Sequence, residues 1–89
     1  MLRLKYKNVF LKDRKLVEKR GKDLTKLVEV MLLLASGYAL NPKYRDHKLS
    51  GIYNGYRECH IESDWLLIYK VSDNTIIFER TGTHSDLFR

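Results

Sequence analysis

Six ionisable side chains in the second half of the chain, His47, Arg57, His60, Asp64, Arg80 and His84, are the types needed to move protons beside a phosphate. All three histidines of the protein are among them. Imidazole titrates near neutrality, about 6.5 when unperturbed, so it can take a proton and return it. A carboxylate can act as a base or can orient and charge a histidine. A guanidinium grips two phosphate oxygens with its planar fork. The six occur in three strings: D-H-K-L-S-G at 46–51, Y-R-E-C-H-I-E-S-D-W-L-L-I-Y-K at 56–70 and F-E-R-T-G-T-H-S-D-L-F at 78–88.

For these residues to act together, the elements that carry them must converge. Leu2, Leu4 and Tyr6 alternate with Arg3, Lys5 and Lys7, the pattern of a short amphipathic strand. A helix follows, with Asn8 as its expected cap and Gly21 as its end. Val9, Phe10, Asp13, Leu16, Val17 and Arg20 share one side of it, and Lys12, Lys15 and Lys19 lie on another. Asp23 caps a second helix, whose apolar face is Leu24, Leu27, Val28, Met31 and Leu34, and Gly37 closes it. The short Arg20–Asp23 link makes the two an antiparallel hairpin. Between Tyr38 and Gly55 the periodicity breaks at Asn41-Pro42, Ser50-Gly51 and Asn54-Gly55, all turn signals. Three strands are expected beyond, at about 56–61, 65–71 and 76–82, with a hairpin loop at 72–75. Trp65 to Tyr69 is nearly continuous apolar chain, as in a central strand covered on both faces. The expected fold is one α+β domain over 1–89: an N-terminal strand and a helical hairpin packed on a small, mostly antiparallel sheet.

A turn at Glu62-Ser63-Asp64 sets His60 opposite Leu66 and Cys59 opposite Leu67. A turn at 72–75 sets Leu67 opposite Arg80, Leu66 opposite Thr81, and Asp64 near Thr83. His60, Asp64 and His84 then meet at one end of the sheet, with Arg80 one residue pair inward. Strands lie about 4.8 Å apart, so one small ligand could touch all of them. A slip of one residue would reverse the faces. Arg57 and His60 belong to opposite faces of one strand, and Arg57 reads as structural. Arg80 can bind phosphate or pair with Glu58 or Glu79. Cys59 reads as a buried small hydrophobe, and Tyr56, Tyr69 and Phe78 as core.

Charge adds a field to this chemistry. Residues 1–47 carry twelve Lys/Arg and five Asp/Glu, a net of +7, whereas residues 48–89 carry five and six, a net of −1. A positive half attracts phosphate backbones or an acidic protein. The longest apolar run, Val30 to Ala35, is too short to span a bilayer. The N-terminus lacks an apolar signal region, so a cytoplasmic chain is expected. A single cysteine forbids an internal disulfide. The spacing 47, 60, 64, 84 matches no compact zinc signature, and a basic pocket is a poor cation site. No metal or other cofactor is expected.

The three strings together resemble the YafQ branch of the RelE-type bacterial toxins, most tightly over about 41–88. The resemblance implies the RelE-like fold and a small basic ribonuclease that cuts mRNA in the ribosomal A site. It implies neutralisation by an antitoxin from the adjacent gene. It further implies catalytic roles for His47, His60, Asp64 and His84, a phosphate-binding role for Arg80, and a substrate-contacting role for Phe88. Ser63 stands where proline is common in the family, and the helices match less well. The chemistry agrees. Metal-free RNA cleavage needs a base for the ribose 2′-OH, an acid for the leaving 5′-oxygen, and cations around a phosphorane-like transition state. Phe88 can stack on a base. The competing reading is a non-catalytic nucleic-acid-binding module whose histidines are structural.

Overall fold

The computed structural model describes residues 1–88. Arg3–Tyr6 forms strand β1, Asn8–Lys19 helix α1 and Leu24–Ala35 helix α2. His47–Lys48 forms β2, Arg57–Glu62 β3, Trp65–Ser72 β4, Thr75–Gly82 β5 and His84–Leu87 the one-turn helix α3. The sheet order is β1-β5-β4-β3-β2, with β1 parallel to β5 and every other pairing antiparallel. The α+β architecture read from the sequence is the one observed. The two-residue strand β2, which carries His47, was not expected. It lies among turn residues and is too short to show a period of two.

The helix ends follow local chemistry. Asp23 accepts hydrogen bonds from the Thr25 N–H at 3.0 Å and the Thr25 hydroxyl at 2.6 Å, capping α2. Gly21, at φ +90°, turns the chain out of α1 while its N–H donates to the Glu18 carbonyl and the Lys22 N–H to that of Val17. The expected Asn8 cap is displaced by one residue. Lys7 holds the cap position without a side-chain bond, and its carbonyl accepts the first helical bond, from Leu11.

Both helices cover one face of the sheet. Phe10 and Val17 of α1 and Leu27, Val30, Met31, Leu34 and Ala35 of α2 pack on Cys59, Ile61, Trp65, Leu67, Tyr69, Ile76 and Phe78. Each buried Val, Leu, Ile, Met or Phe among them contributes roughly 1.5–3 kcal/mol by leaving water. Val9 and Leu16 of α1 and Val28 of α2, on the expected apolar faces, are exposed instead; α1 reaches the core through Phe10 and Val17. The Trp65 indole N–H donates to the Thr81 hydroxyl, which donates to the Leu66 carbonyl, so this buried polar group is satisfied. The opposite face has a smaller apolar patch of Leu66, Ile68 and Leu87, edged by Leu49, Tyr53 and Tyr56. Trp65 to Tyr69 is therefore buried from both sides, as its composition required.

The β3–β4 register is as expected: Cys59 pairs with Leu67 and His60 with Leu66. The β4–β5 register is not. Near the turn, Ser72 pairs with Thr75 and Tyr69 with Phe78, but then Ile68 pairs with Arg80 and Leu67 with Thr81. Glu79 is the extra residue of a β-bulge. The bulge corrects the expected Leu67–Arg80 and Leu66–Thr81 pairs by one position. It keeps Phe78 and Thr81 on the helix side and rotates Arg80 to the other.

Candidate active site

Cross-strand neighbours point to the same side of a sheet. The pairings His47–Glu58, Glu58–Ile68 and Ile68–Arg80 therefore make one row across β2, β3, β4 and β5 on the face away from the helices. The adjacent row is His60, Leu66 and Gly82. His84 follows two residues after Gly82 and returns over the end of this row. Ring centroids lie 6.3 Å apart for His47 and His60, and 5.9 Å for His60 and His84. Phe88 adds its ring 6.0 Å from that of His84 and 5.6 Å from that of Tyr53. The structure thus brings together His47, His60, Asp64, His84 and Phe88.

The three imidazoles are anchored alike, each through Nδ1. His47 Nδ1 lies 2.6 Å from the Arg45 carbonyl and His60 Nδ1 lies 3.2 Å from the Ser63 carbonyl. A carbonyl only accepts, so both nitrogens must carry hydrogen. His84 Nδ1 lies 2.9 Å from Asp64 Oδ1, which also accepts the His84 backbone N–H at 2.9 Å. The Nε2 atoms of His60 and His84 are left for other work. Asp64 orients His84. The His84 backbone N–H, and then its ring, hold the Asp64 carboxyl below the usual carboxylate range.

Helix α3 sets the position of His84. Thr83 and Asp86 form a reciprocal cap: the Asp86 N–H donates to the Thr83 hydroxyl, and the Thr83 N–H to Asp86 Oδ2. Arg20 of α1 donates to both Asp86 oxygens, at 2.7 and 3.3 Å. Gly82 is needed beside this cap, since a Cβ there would lie 2.8 Å from Asp86 Oδ2. The bonds from Arg20, and next from the Thr83 N–H, push the Asp86 carboxyl down to about 2. A carboxyl depressed in the fold contributes stability that is complete above its unfolded value of 3.8 and is lost as pH falls through about 2. Asp86→Asn should therefore melt below wild type at pH 6, with the gap narrowing by pH 2.5. A gap unchanged between those two melts would show that the charge of Asp86 does no stabilising work.

Arg80 shares the site face, but its fork is engaged. Its Nε donates to Asp13 Oδ2 at 2.7 Å and its Nη2 to Oδ1 at 3.1 Å. Asp13 also accepts the Thr81 N–H at 3.1 Å, satisfying β5 beyond the end of β1, whose last pair is Tyr6–Phe78. The Tyr53 hydroxyl is a further hydrogen-bond neighbour of this guanidinium. The alternative to phosphate binding, a pairing of Arg80 with Glu58 or Glu79, is not what is seen; the carboxylate it meets is Asp13 of α1. Arg57 points to the helix side and donates to Asp46, as does the Tyr69 hydroxyl. Cys59 is fully buried there, and burial pushes its thiol far up.

Two acidic residues escaped the sequence reading. Asp13 looked like one polar position on an apolar stripe. Glu58 looked like one more charge on a half-exposed strand, yet it is 4% exposed and lies between two histidines. His47 Nε2 is 3.1 Å and His60 Nε2 3.8 Å from Glu58 Oε2. Period-two alternation with His60 was the available signal for Glu58.

Beside His60 opens a cleft of about 500 Å³, with Lys26, Lys43, Tyr44 and Arg45 on its wall. Glu29 and Glu62 line it too, and Lys26 is paired with Glu62 at 2.9 Å, so the cations of this wall that stand next to His60 without that pairing are Lys43 and Arg45. Among the described residues, no group of three or more His, Cys, Asp or Glu is arranged to hold a metal ion.

A small basic α+β domain with this face matches a known class, the toxins of bacterial type II toxin–antitoxin systems. The family model described as "Bacterial toxin of type II toxin-antitoxin system, YafQ" matches residues 2–89. This chain belongs to the YafQ family. The mRNA interferase toxin YafQ of Escherichia coli K12 is 48% identical over 86 residues, covering 96% of this chain and 94% of that protein. The toxin in the E. coli DinJ–YafQ complex superposes with a TM-score of 0.92 at 46% identity, over the whole of both chains. A metal-bound toxin from Helicobacter pylori superposes with a TM-score of 0.93 at 42% identity, covering 99% of this chain and all of that one.

Proposed function

We infer that this chain is the toxin of its pair and cuts mRNA in the ribosomal A site, through attack of the ribose 2′-OH on the adjacent phosphate. Like the relatives named mRNA interferases, it is an endoribonuclease. The observation that carries the mechanism is the common anchoring of His60 and His84 through Nδ1, which leaves both Nε2 atoms to move protons.

In this reading His60 Nε2 takes the 2′-OH proton while O2′ bonds to phosphorus. The P–O5′ bond breaks, and O5′ takes a proton from His84 Nε2. Asp64, ionised and fixed on Nδ1, balances the charge of the donating His84 ring. The Arg80 guanidinium faces the charge developing on the phosphate. Phe88 stacks on a base beside His84. The products are a 2′,3′-cyclic phosphate and a 5′-hydroxyl. The residues needed are all in this chain, so the mechanism requires no cofactor.

The partner in this reading is a cognate antitoxin with a flexible acidic segment. The wall formed by β1, α1 and α2 offers it a groove of about 360 Å³. Leu4, Tyr6, Val28 and Leu32 are exposed there beside Arg14 and Lys15. Such a segment orders on binding, and its association slows as salt rises.

Mapping of RNA ends tests the function. Ribosomes carrying a defined mRNA should yield fragments with 2′,3′-cyclic phosphate and 5′-hydroxyl ends within the A-site codon. Free RNA, where it is cut at all, should be cut equally with EDTA present. Fragments ending in 5′-phosphate, or activity lost on chelation and restored by zinc, would replace this mechanism with a metal-dependent one.

A further inference from the structure

We propose that the link between α1 and α2 is a brace for the reaction: Arg20, Lys22 and Lys26 are positioning residues that hold His60 and His84 at their working separation. The proposal rests on the ribonuclease reading above and deepens it. None of the three cations touches RNA or a reacting atom in this scheme.

The first observation is where the ties end. Arg20, the capping residue at the end of α1, donates to both oxygens of Asp86 in α3, the helix that begins at His84. Lys22 and Lys26 donate to the two oxygens of Glu62, one each, at 2.8 and 2.9 Å. Lys22 Nζ also stands 6.0 Å from the centroid of the Trp65 ring, which seats this tie on the core. Glu62 ends β3. Beside it are Ser63, whose carbonyl anchors His60, and Asp64, which anchors His84. One short link thus grips both segments on which the proton transfers depend. The Asp64–His84 contact joins those segments to each other, so link, α3 and turn form a closed circuit.

The second observation is how little else holds α3. It is one turn long, and its buried side chain is Leu87. A short helix with one apolar anchor can pivot about it, and the bidentate Arg20–Asp86 pair supplies a second fixed point. Stability is not what these pairs are suited to. The side chains of Arg20, Lys22 and Lys26 are 43, 38 and 53% exposed, and ion pairs so open to water add little to a fold. Geometry is the more sensitive quantity. A displacement of about 1 Å at a reacting group can cost about 100-fold in rate.

Arg20→Gln and Glu62→Gln test the brace, since each cuts one tie and leaves a polar side chain in place. Both should melt within about 5 °C of wild type, because exposed pairs contribute little. Single-turnover cleavage of ribosome-bound mRNA at saturating toxin should fall about 10-fold in each. Arg20→Lys, which keeps one donor for Asp86, should recover part of that rate. The double variant should lose less than the product of the two, because either cut opens the same circuit. The His84 backbone N–H, which donates to Asp64, should exchange with solvent at least about fivefold faster in both variants, while the amides of β4 exchange as in wild type. Lys19→Gln, which removes a neighbouring cation from the last turn of α1, should change neither rate nor exchange. A full rate at saturation in both Gln variants would overturn the brace. So would an equal loss in Lys19→Gln, which would mark bulk charge as the cause. Unchanged His84 exchange in both variants would overturn the circuit. If wild type cut no RNA, the ribonuclease reading would fail, and the exchange measurement would still decide whether the link holds α3 against the turn.

Discussion

Alanine at His84 or at His60 is expected to lower cleavage by at least about 100-fold, the usual contribution of a positioned acid or base. Growth arrest on expression should vanish with it. Neither ring carries the core: His84 is exposed on α3, and His60 lies across the sheet from the helices. The variants should therefore melt near wild type and keep their affinity for ribosome-bound mRNA. His47→Ala should cost less than either, since both nitrogens of that ring are already engaged by protein. Wild-type toxicity from either variant at equal expression would remove that histidine from the mechanism. If both variants bind and arrest growth unchanged, the binding-module reading takes over.

The second large effect is expected at the Asp13–Arg80 pair. Arg80→Ala strands a carboxylate that is only 11% exposed, and Asp13→Ala strands a guanidinium and the Thr81 N–H together. Removing one partner of such a pair costs about 3 kcal/mol of stability. Arg80→Lys is the more telling change. Lysine keeps the charge but cannot grip Asp13 with two donors while presenting a third to phosphate. We expect it to retain most stability and to lose about 10-fold in the single-turnover rate, with Arg80→Ala losing more. A full rate in Arg80→Lys would make Arg80 a structural ion pair and nothing else.

Much of this was legible in the chain. The alternation before Tyr6, the two apolar helical stripes, and Asp23, Gly21 and Gly37 at their ends fixed the layers, because each is a local signal. The β3–β4 register was legible too: the turn at 62–64 determined which residue faced Leu66. What failed was the β4–β5 register. Nothing in T-I-I-F-E-R-T-G marks Glu79 as a bulge, since the bulge satisfies two demands that appear only in three dimensions. Phe78 must enter the core beside Phe10, and Thr81 must reach the Trp65 indole. Glu58 and Asp13 were missed for the same reason, as a carboxylate's burial depends on what crosses it from another element.

The alternation along β3 has a genetic consequence. Cys59 and Ile61 belong to the core that holds the domain together, while Glu58 and His60 belong to the opposite face, to which the proposed reaction is assigned. Under the proposed mechanism, a single nucleotide change at the codon of His60 or His84 would therefore silence the protein without unfolding it. The silenced product keeps the wall of Leu4, Tyr6, Val28 and Leu32 intact, and with it the surface that an antitoxin would cover. In a cell carrying active and silenced copies, the silent one would still titrate the antidote. Loss of the poison by mutation is then not neutral for its neighbours: a defective allele would draw protection away from a functional one.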